Sequence, residues 1–142
     1  MSEENVELLR KFQDVWNRGE GDPTEAYHPD VEFLPLRAAM EGGYRGLSGI
    51  QAFMADTFEV FDKFEMNFEF TDLGERVLAW GTIHVRARGS GLETDIQTGG
   101  LFEFREGRIV RWEDFGSKGR ALEAAGLSDQ PKPFEQGEAP AD

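Results

Sequence analysis

Apolar residues recur at three- and four-residue spacing from the start of the chain. Leu8, Leu9, Phe12, Val15 and Trp16 share one face of a helix predicted over about Glu3–Arg18. Ser2 is placed to cap it, Glu3 and Glu4 suit the positive end of its dipole, and Gly19 ends it. Asp22-Pro23-Thr24-Glu25 restarts a short helix, with a capping Asp, Pro in the first position and Glu three residues on. His28-Pro29-Asp30 reads as a break, followed by a short strand over Val31–Pro35 and a glycine-rich irregular stretch from Leu36 to Gly46. A further helix is expected from Ser48, where Ser48 and Gln51 have capping-box spacing. Ile50, Phe53, Met54, Thr57, Phe58 and Phe61 give it a broad apolar face.

From Phe64 the period changes to two. Phe64, Met66, Phe68 and Phe70 alternate with Glu65, Asn67, Glu69 and Thr71, as in a strand with one buried face. Leu73-Gly74 turns into a strand over Arg76–Arg88, and Gly89-Ser90-Gly91 bends into another over Asp95–Arg105. Glu106-Gly107 suits a two-residue hairpin leading to Arg108–Phe115. These three links predict an antiparallel meander rather than a nucleotide-binding parallel sheet. A last helix is expected from Lys118 to about Ala125, closed by Gly126 with Leu127 packing on Leu122. Beyond it the sequence turns polar and proline-containing. The reading is one α+β domain over 1–127 and a flexible acidic tail over 128–142.

Charge narrows the function. The chain of 142 residues carries a net charge of −13. Residues 1–75 hold 17 acidic and 6 basic side chains, whereas 76–127 hold 7 and 8. Binding a phosphate backbone requires clustered Lys and Arg, so nucleic acid is excluded as a partner. The near-neutral second half is the better surface for self-association. There is no cysteine, hence no disulfide and no thiolate chemistry, which suits a reducing compartment. No apolar run approaches the roughly 20 residues of a spanning helix, and the charged first helix does not resemble a signal peptide. A cytoplasmic, membrane-free protein is expected. Two distant histidines lack metal-ligand spacing, so no metal is expected.

Three strings carry a family resemblance: "VWNRGEGDP", "YHPDVEF" and "GGLFEFREGRIVRWEDFGSKGRALEAAGL". With the order of elements, they resemble the SnoaL-like branch of the nuclear-transport-factor-two-like superfamily, over about Glu3 to Leu127. The resemblance implies a cone-shaped α+β barrel: three main helices on a curved, mostly antiparallel sheet, around a pocket for a small apolar ligand. It also implies a homodimer through the outer face of the sheet, for which Trp80, His84 and Trp112 are the candidate residues. The fold hosts isomerases, cyclases, epoxide hydrolases and plain binding modules, so chemistry has to be argued from the site.

Ketosteroid isomerases of this fold use an Asp base with Tyr and protonated Asp donors. Matched through the first-helix glycine, those roles fall on Pro35 (or Leu34), Phe12 and Gly100, none of which handles a proton. Steroid isomerase chemistry is not expected. SnoaL-type polyketide cyclases place an Asp near the end of the last strand and a His on its neighbour. Matched through Gly107, the Asp is Asp114 and the His position is Gly100.

Asp114 is also a candidate on local grounds. It follows Trp112 at strand spacing, and a carboxylate beside an indole in a dry pocket has its pKa raised toward neutrality, where a general base is useful. The competing reading is a frayed strand end at which Asp114 is solvated or paired with Arg111 or Arg120. Tyr44, in the irregular stretch that borders the mouth in this family, is either a donor to a ligand carbonyl or a surface tyrosine. Trp112, Phe12, Trp16, Phe53 and Phe102 are candidates for the pocket lining, or ordinary core. On Arg76–Arg88 the set Val77, Ala79, Ile83 and Val85 is expected inside, leaving Trp80 and His84 outside. The Gly99-Gly100 pair either opens space beside a ligand or marks a strand bend. Two functions follow: an isomerase- or cyclase-type enzyme without cofactor, using Asp114 as base (with epoxide hydrolysis as a weaker variant), or a non-catalytic ligand-binding or assembly domain.

Overall fold

The computed structural model describes residues 2–19, 21–35 and 42–127. The tail 128–142 and Leu36–Glu41 of the irregular stretch lie outside the described residues, as does the side chain of Ser2. In chain order the elements are α1 (Ser2–Arg18), a 3₁₀ turn (Pro23–Ala26), β1 (Tyr27–Leu34), β2 (Tyr44–Arg45), α2 (Gly46–Val60), β3 (Phe61–Asp72), β4 (Arg76–Ala87), β5 (Glu93–Arg105), β6 (Arg108–Phe115) and α3 (Lys118–Ala124). This is the expected α+β architecture, three helices on one six-stranded sheet of order β2-β1-β6-β5-β4-β3. β3 to β6 form the expected meander. β1 joins it in parallel with β6 and pairs antiparallel with β2, so the sheet is mixed. It does not close: β2 and β3 are its edges, and the cone is open.

α1 buries Leu9, Phe12 and Trp16, the face its spacing predicted. Its polar shoulder holds the β3 edge. The Asn17 side-chain amide donates to the Met66 carbonyl at 2.7 Å and accepts from the Met66 N–H at 2.8 Å. The Gln13 Oε1 accepts from the Phe68 N–H at 2.9 Å. Backbone groups that an edge strand would leave open are thus satisfied by helix side chains.

Three boundaries differ from expectation. β1 runs through His28-Pro29-Asp30 instead of starting after it. Its ladder with β6 is irregular between Tyr27 and Glu32, which accommodates a proline that has no N–H to give. Moreover, His28 is tied into the structure: its Nδ1 accepts from the Asp30 N–H at 3.0 Å, so its Nε2 donates to Glu106 at 2.8 Å. α2 starts at Gly46, with Arg45 as its N-cap residue and no side-chain cap bond, so the Ser48 box is not what begins it. Phe61 belongs to β3 and not to the helix.

The sheet has two unlike faces. On the inner one Val77, Ala79, Phe102, Ile109 and Trp112 pack with α1 and β1 residues into the main core. On the outer one a smaller cluster forms where α3 lays Ala121 and Ala125 against Leu78 and Leu101. Ser117 caps α3 by accepting from the Arg120 N–H at 3.1 Å, and Gly126 closes it with φ 81°. The β5–β6 hairpin turns on Glu106 and Gly107, both at positive φ (55° and 76°), as a two-residue loop matching strand twist requires.

Candidate functional site

β6 alternates Trp112 and Asp114 onto the inner face, and together they border a cleft of about 580 Å³. α2 forms one wall with Phe53, Thr57 and Val60, which explains why only Ile50 of its apolar face is fully buried. The facing wall is sheet: Phe64 and Met66 from β3, Ile83 from β4, Ile96 and Thr98 from β5. Phe33 and Tyr44 come from β1 and β2, and Asp56 and Glu59 also border the cleft.

An aromatic stack fixes the floor. The Trp112 ring lies 4.9 Å from Phe102 at 24° and 4.4 Å from Phe33. Phe53 meets Phe33 edge-on at 4.6 Å, and Tyr44 lies over Phe33 at 6.0 Å. Rings packed this way are stiff, so the carboxylate beside them has defined surroundings.

Asp114 is half-buried, open toward the cleft and otherwise enclosed. Loss of solvent pushes its pKa up from 3.8 to about 7, against a smaller pull downward from a hydrogen bond with the Trp112 side chain. Arg111, the cation nearest in sequence, turns to the other face of the sheet and pairs with Glu32 at 2.6 Å and Glu113 at 3.3 Å. Neither Arg111 nor Arg120 contributes to the Asp114 shift, whose causes are burial and the Trp112 bond. Burial also drives the Tyr27 hydroxyl well above its usual range, with the Asp114 charge adding to the shift. Tyr27 is therefore a neutral phenol within electrostatic reach of Asp114.

Gly100 pairs with Asp114 across the β5–β6 ladder. A Cβ on Gly100 would stand 2.3 Å from the Glu113 carbonyl oxygen and 3.1 Å from Asp114 Oδ1. At Gly99 it would stand 2.0 Å from the Ala79 oxygen. The pair marks a close approach of strands, and a side chain opposite Asp114, a histidine included, would require the Glu113 backbone to shift.

Of the candidate residues, Asp114, Tyr44, Trp112 and Phe53 meet at the cleft. Phe12, Trp16 and Phe102 do not line it; they are buried in the core behind it. Phe102 and Phe12 support Trp112 from behind, by stacking and edge-on contact respectively. Trp16 packs on Phe58 and Phe64. Trp112 itself is on the inner face and 6% exposed, so it cannot join Trp80 and His84 on an outer interface. Ile83 borders the cleft while His84 points out, its Nδ1 2.6 Å from Asp95 and its Nε2 2.6 Å from Glu93. The bond to Asp95, then that to Glu93, raise the His84 pKa.

Thr98, Tyr27, Asp56 and Glu59 are site residues that sequence reasoning missed. Only Thr98 left a trace, as the residue two before Gly100 on the Phe102 face. Among the described residues no group of His, Asp and Glu has an arrangement that could hold a metal ion. No described helix is long and apolar enough to cross a membrane.

The chain is an open α+β fold whose inner sheet face carries a carboxylate beside an aromatic cleft. The chain matches the SnoaL-like domain over residues 9–112 and belongs to that family. The matched segment ends two residues before Asp114. Among solved structures it is similar to TerC, co-crystallised with polyporic acid, at 22% identity over 87% of this chain and 98% of that one, TM-score 0.71. A nuclear-transport-factor-two-like protein of unknown function from Burkholderia pseudomallei gives 23% identity over 91% and 99%, TM-score 0.72. A candidate SnoaL-like polyketide cyclase from Jannaschia gives 20% over 81% and 86%, TM-score 0.70. At these identities the likeness establishes the fold. No curated protein matches the chain.

Proposed function

We propose that the chain is a cofactor-independent enzyme of isomerase or cyclase type, with Asp114 as general base toward a small, largely apolar ligand held in the cleft. One observation carries this reading: a carboxylate facing an aromatic cleft with its pKa raised to about 7. A base poised near the working pH is present in its active form while still driving proton transfer. One structural neighbour is a candidate SnoaL-like polyketide cyclase and another was co-crystallised with polyporic acid, which is in keeping with a small organic substrate.

In the simplest reaction the C–H bond beside a ligand carbonyl breaks. Its proton goes to an Asp114 oxygen and its electron pair to the carbonyl oxygen, giving an enolate. Asp114 returns the proton at the same or a neighbouring carbon, so no other reactant is needed. The enolate requires a donor, and the hydroxyls bordering the cleft are Tyr44, Thr57 and Thr98. Tyr44 reaches Asp56 at a long 3.4 Å, so its hydroxyl already stands at the cleft beside a carboxylate. Hydrolysis of an epoxide requires a second acid for the leaving oxygen, which makes it the weaker variant.

Deuterium exchange tests the reading. Aromatic ketones incubated with the protein in D₂O should take up deuterium beside the carbonyl. The Asp114→Asn variant should lose about 10²–10⁴-fold of that rate, the usual contribution of a positioned base. Exchange that is unchanged in the variant would remove Asp114 from the chemistry. The Gly100 position supports the second reading, a non-catalytic binding domain, because it carries no partner histidine of the cyclase pattern and is crowded by the Glu113 backbone. Binding in the cleft with no exchange of any bound ketone would favour it. We further propose that the chain is a cytoplasmic homodimer joined through the outer sheet face around Trp80 and His84.

A further inference from the structure

We propose that the cleft selects molecules that pair an aromatic or apolar body with a protonated amine, and discriminates against carboxylates. This rests on the reading of the Asp114 cleft as the ligand site.

The composition of the walls carries the argument. Six of the lining residues are aromatic, and every ionisable carboxyl or cationic group among the described lining residues is acidic: Asp56, Glu59 and Asp114. No Lys, Arg or His is among them. Cations nearby in the chain are committed elsewhere. Arg88 donates to the Phe58 carbonyl from Nε at 3.1 Å and from Nη2 at 2.6 Å. Arg86 binds Asp62 at 2.7 Å, and Lys63 lies 3.8 Å from Glu65. A carboxylate ligand entering this cleft would meet like charge at the rim and find no counter-charge at the floor. A cation would meet ring faces and carboxylates, both of which attract it, and more strongly where water is excluded. The surplus negative charge of the chain acts in the same direction at longer range.

Asp114 makes the preference depend on pH. The titratable groups around it are Tyr27 of β1, buried in the core within electrostatic reach, and Tyr44 of β2 and Asp56 and Glu59 of α2, which border the same cleft; β3, β4 and β5 present only uncharged side chains to the cleft. Tyr27, buried and raised, stays neutral throughout. Asp114 loses its proton near pH 7, so a bound cation gains a full counter-charge as the pH rises through that range, and a neutral ligand gains none.

Three probes of one shape separate the charge states: 2-naphthylmethylamine, 2-naphthylmethanol and 2-naphthoate, titrated into the full chain at pH 8 and low salt. Binding is followed by NMR shifts of the Thr98 and Asp114 amides. The amine should bind about tenfold more tightly than the alcohol, as expected for a partly desolvated cation over rings, and the carboxylate most weakly. The advantage of the amine should shrink at pH 6. The double variant Asp56→Asn, Glu59→Gln should shrink it too, read as the ratio of amine to alcohol affinity within the same variant. Equal affinity for the amine and the alcohol, or a carboxylate that binds as well as the amine, would overturn the inference and leave the cleft as a ligand site. Failure of all three to move the cleft resonances would sink the cleft reading, and this inference with it.

Discussion

Asp114→Asn separates the cost of a buried charge from its use. The folded pKa of about 7 lies above the ordinary 3.8, so between these values the folded state holds a proton that the unfolded state has lost. Folding stability from this group is therefore complete below about pH 4 and falls as the pH rises through 7. At pH 8 the asparagine variant should be the more stable, by at most about 4 kcal/mol and by less to the extent that water in the cleft screens the charge. At pH 4 the two should match, and urea unfolding at both values checks the sign. Gly100→Ala should destabilise by about 1–3 kcal/mol, because a Cβ cannot be placed without moving the Glu113 carbonyl. A melting temperature equal to that of the parent would show that the strands part easily there. Asp114 was legible in the sequence because it stands two residues from Trp112, and that parity is a local property. Tyr27 and Thr98 were not, because their nearness to Asp114 depends on how β1 and β5 register against β6.

Periodic elements were the most legible part of the chain. The α1 face and the β3–β6 meander follow directly from spacing and turn chemistry, and hairpin register then sets which residues face inward. The errors fall where tertiary partners decide. β1 absorbs Pro29 because the ladder to a strand some eighty residues away can skip there. α2 begins without its expected cap, and its apolar face reads as core although part of it is cleft wall. In the same way Phe12, Trp16 and Phe102 have the composition of a pocket lining but stand one layer behind it. The contact most specific to this arrangement is Asn17 on the β3 edge. Asn17→Ala removes a donor and an acceptor from Met66 and should cost about 1–3 kcal/mol. It should also speed amide exchange at Met66 more than at Val85 in the sheet interior. Uniform exchange across β3 and β4 would show that the edge is held by other means.

At the scale of the molecule, charge and shape divide the labour. The acidic helical half disfavours self-association, whereas the outer faces of β4 and β5 mix Trp80 and His84 with carboxylates and carry α3 only over Leu78 and Leu101. The part of that face that no described element covers is the one proposed for the dimer. Sedimentation at micromolar concentration should give twice the 16.0 kDa chain mass, and a Trp80→Glu variant should sediment as a monomer. A monomeric parent would return Trp80 and His84 to the free surface. Because Trp112 lies on the opposite face, the dimer and the cleft are independent, and a monomeric variant should keep its ligand preference.

The enzyme reading stands on the ionisation of one side chain, and the titration of the Asp114 carboxyl carbon by NMR in the free protein measures it directly. A midpoint close to 7, displaced well above the usual carboxylate value of about 3.9, is the predicted result. A midpoint at or below that usual value would mean that the carboxylate is solvated or paired, and would contradict the assignment of Asp114 as a base tuned by an apolar cleft.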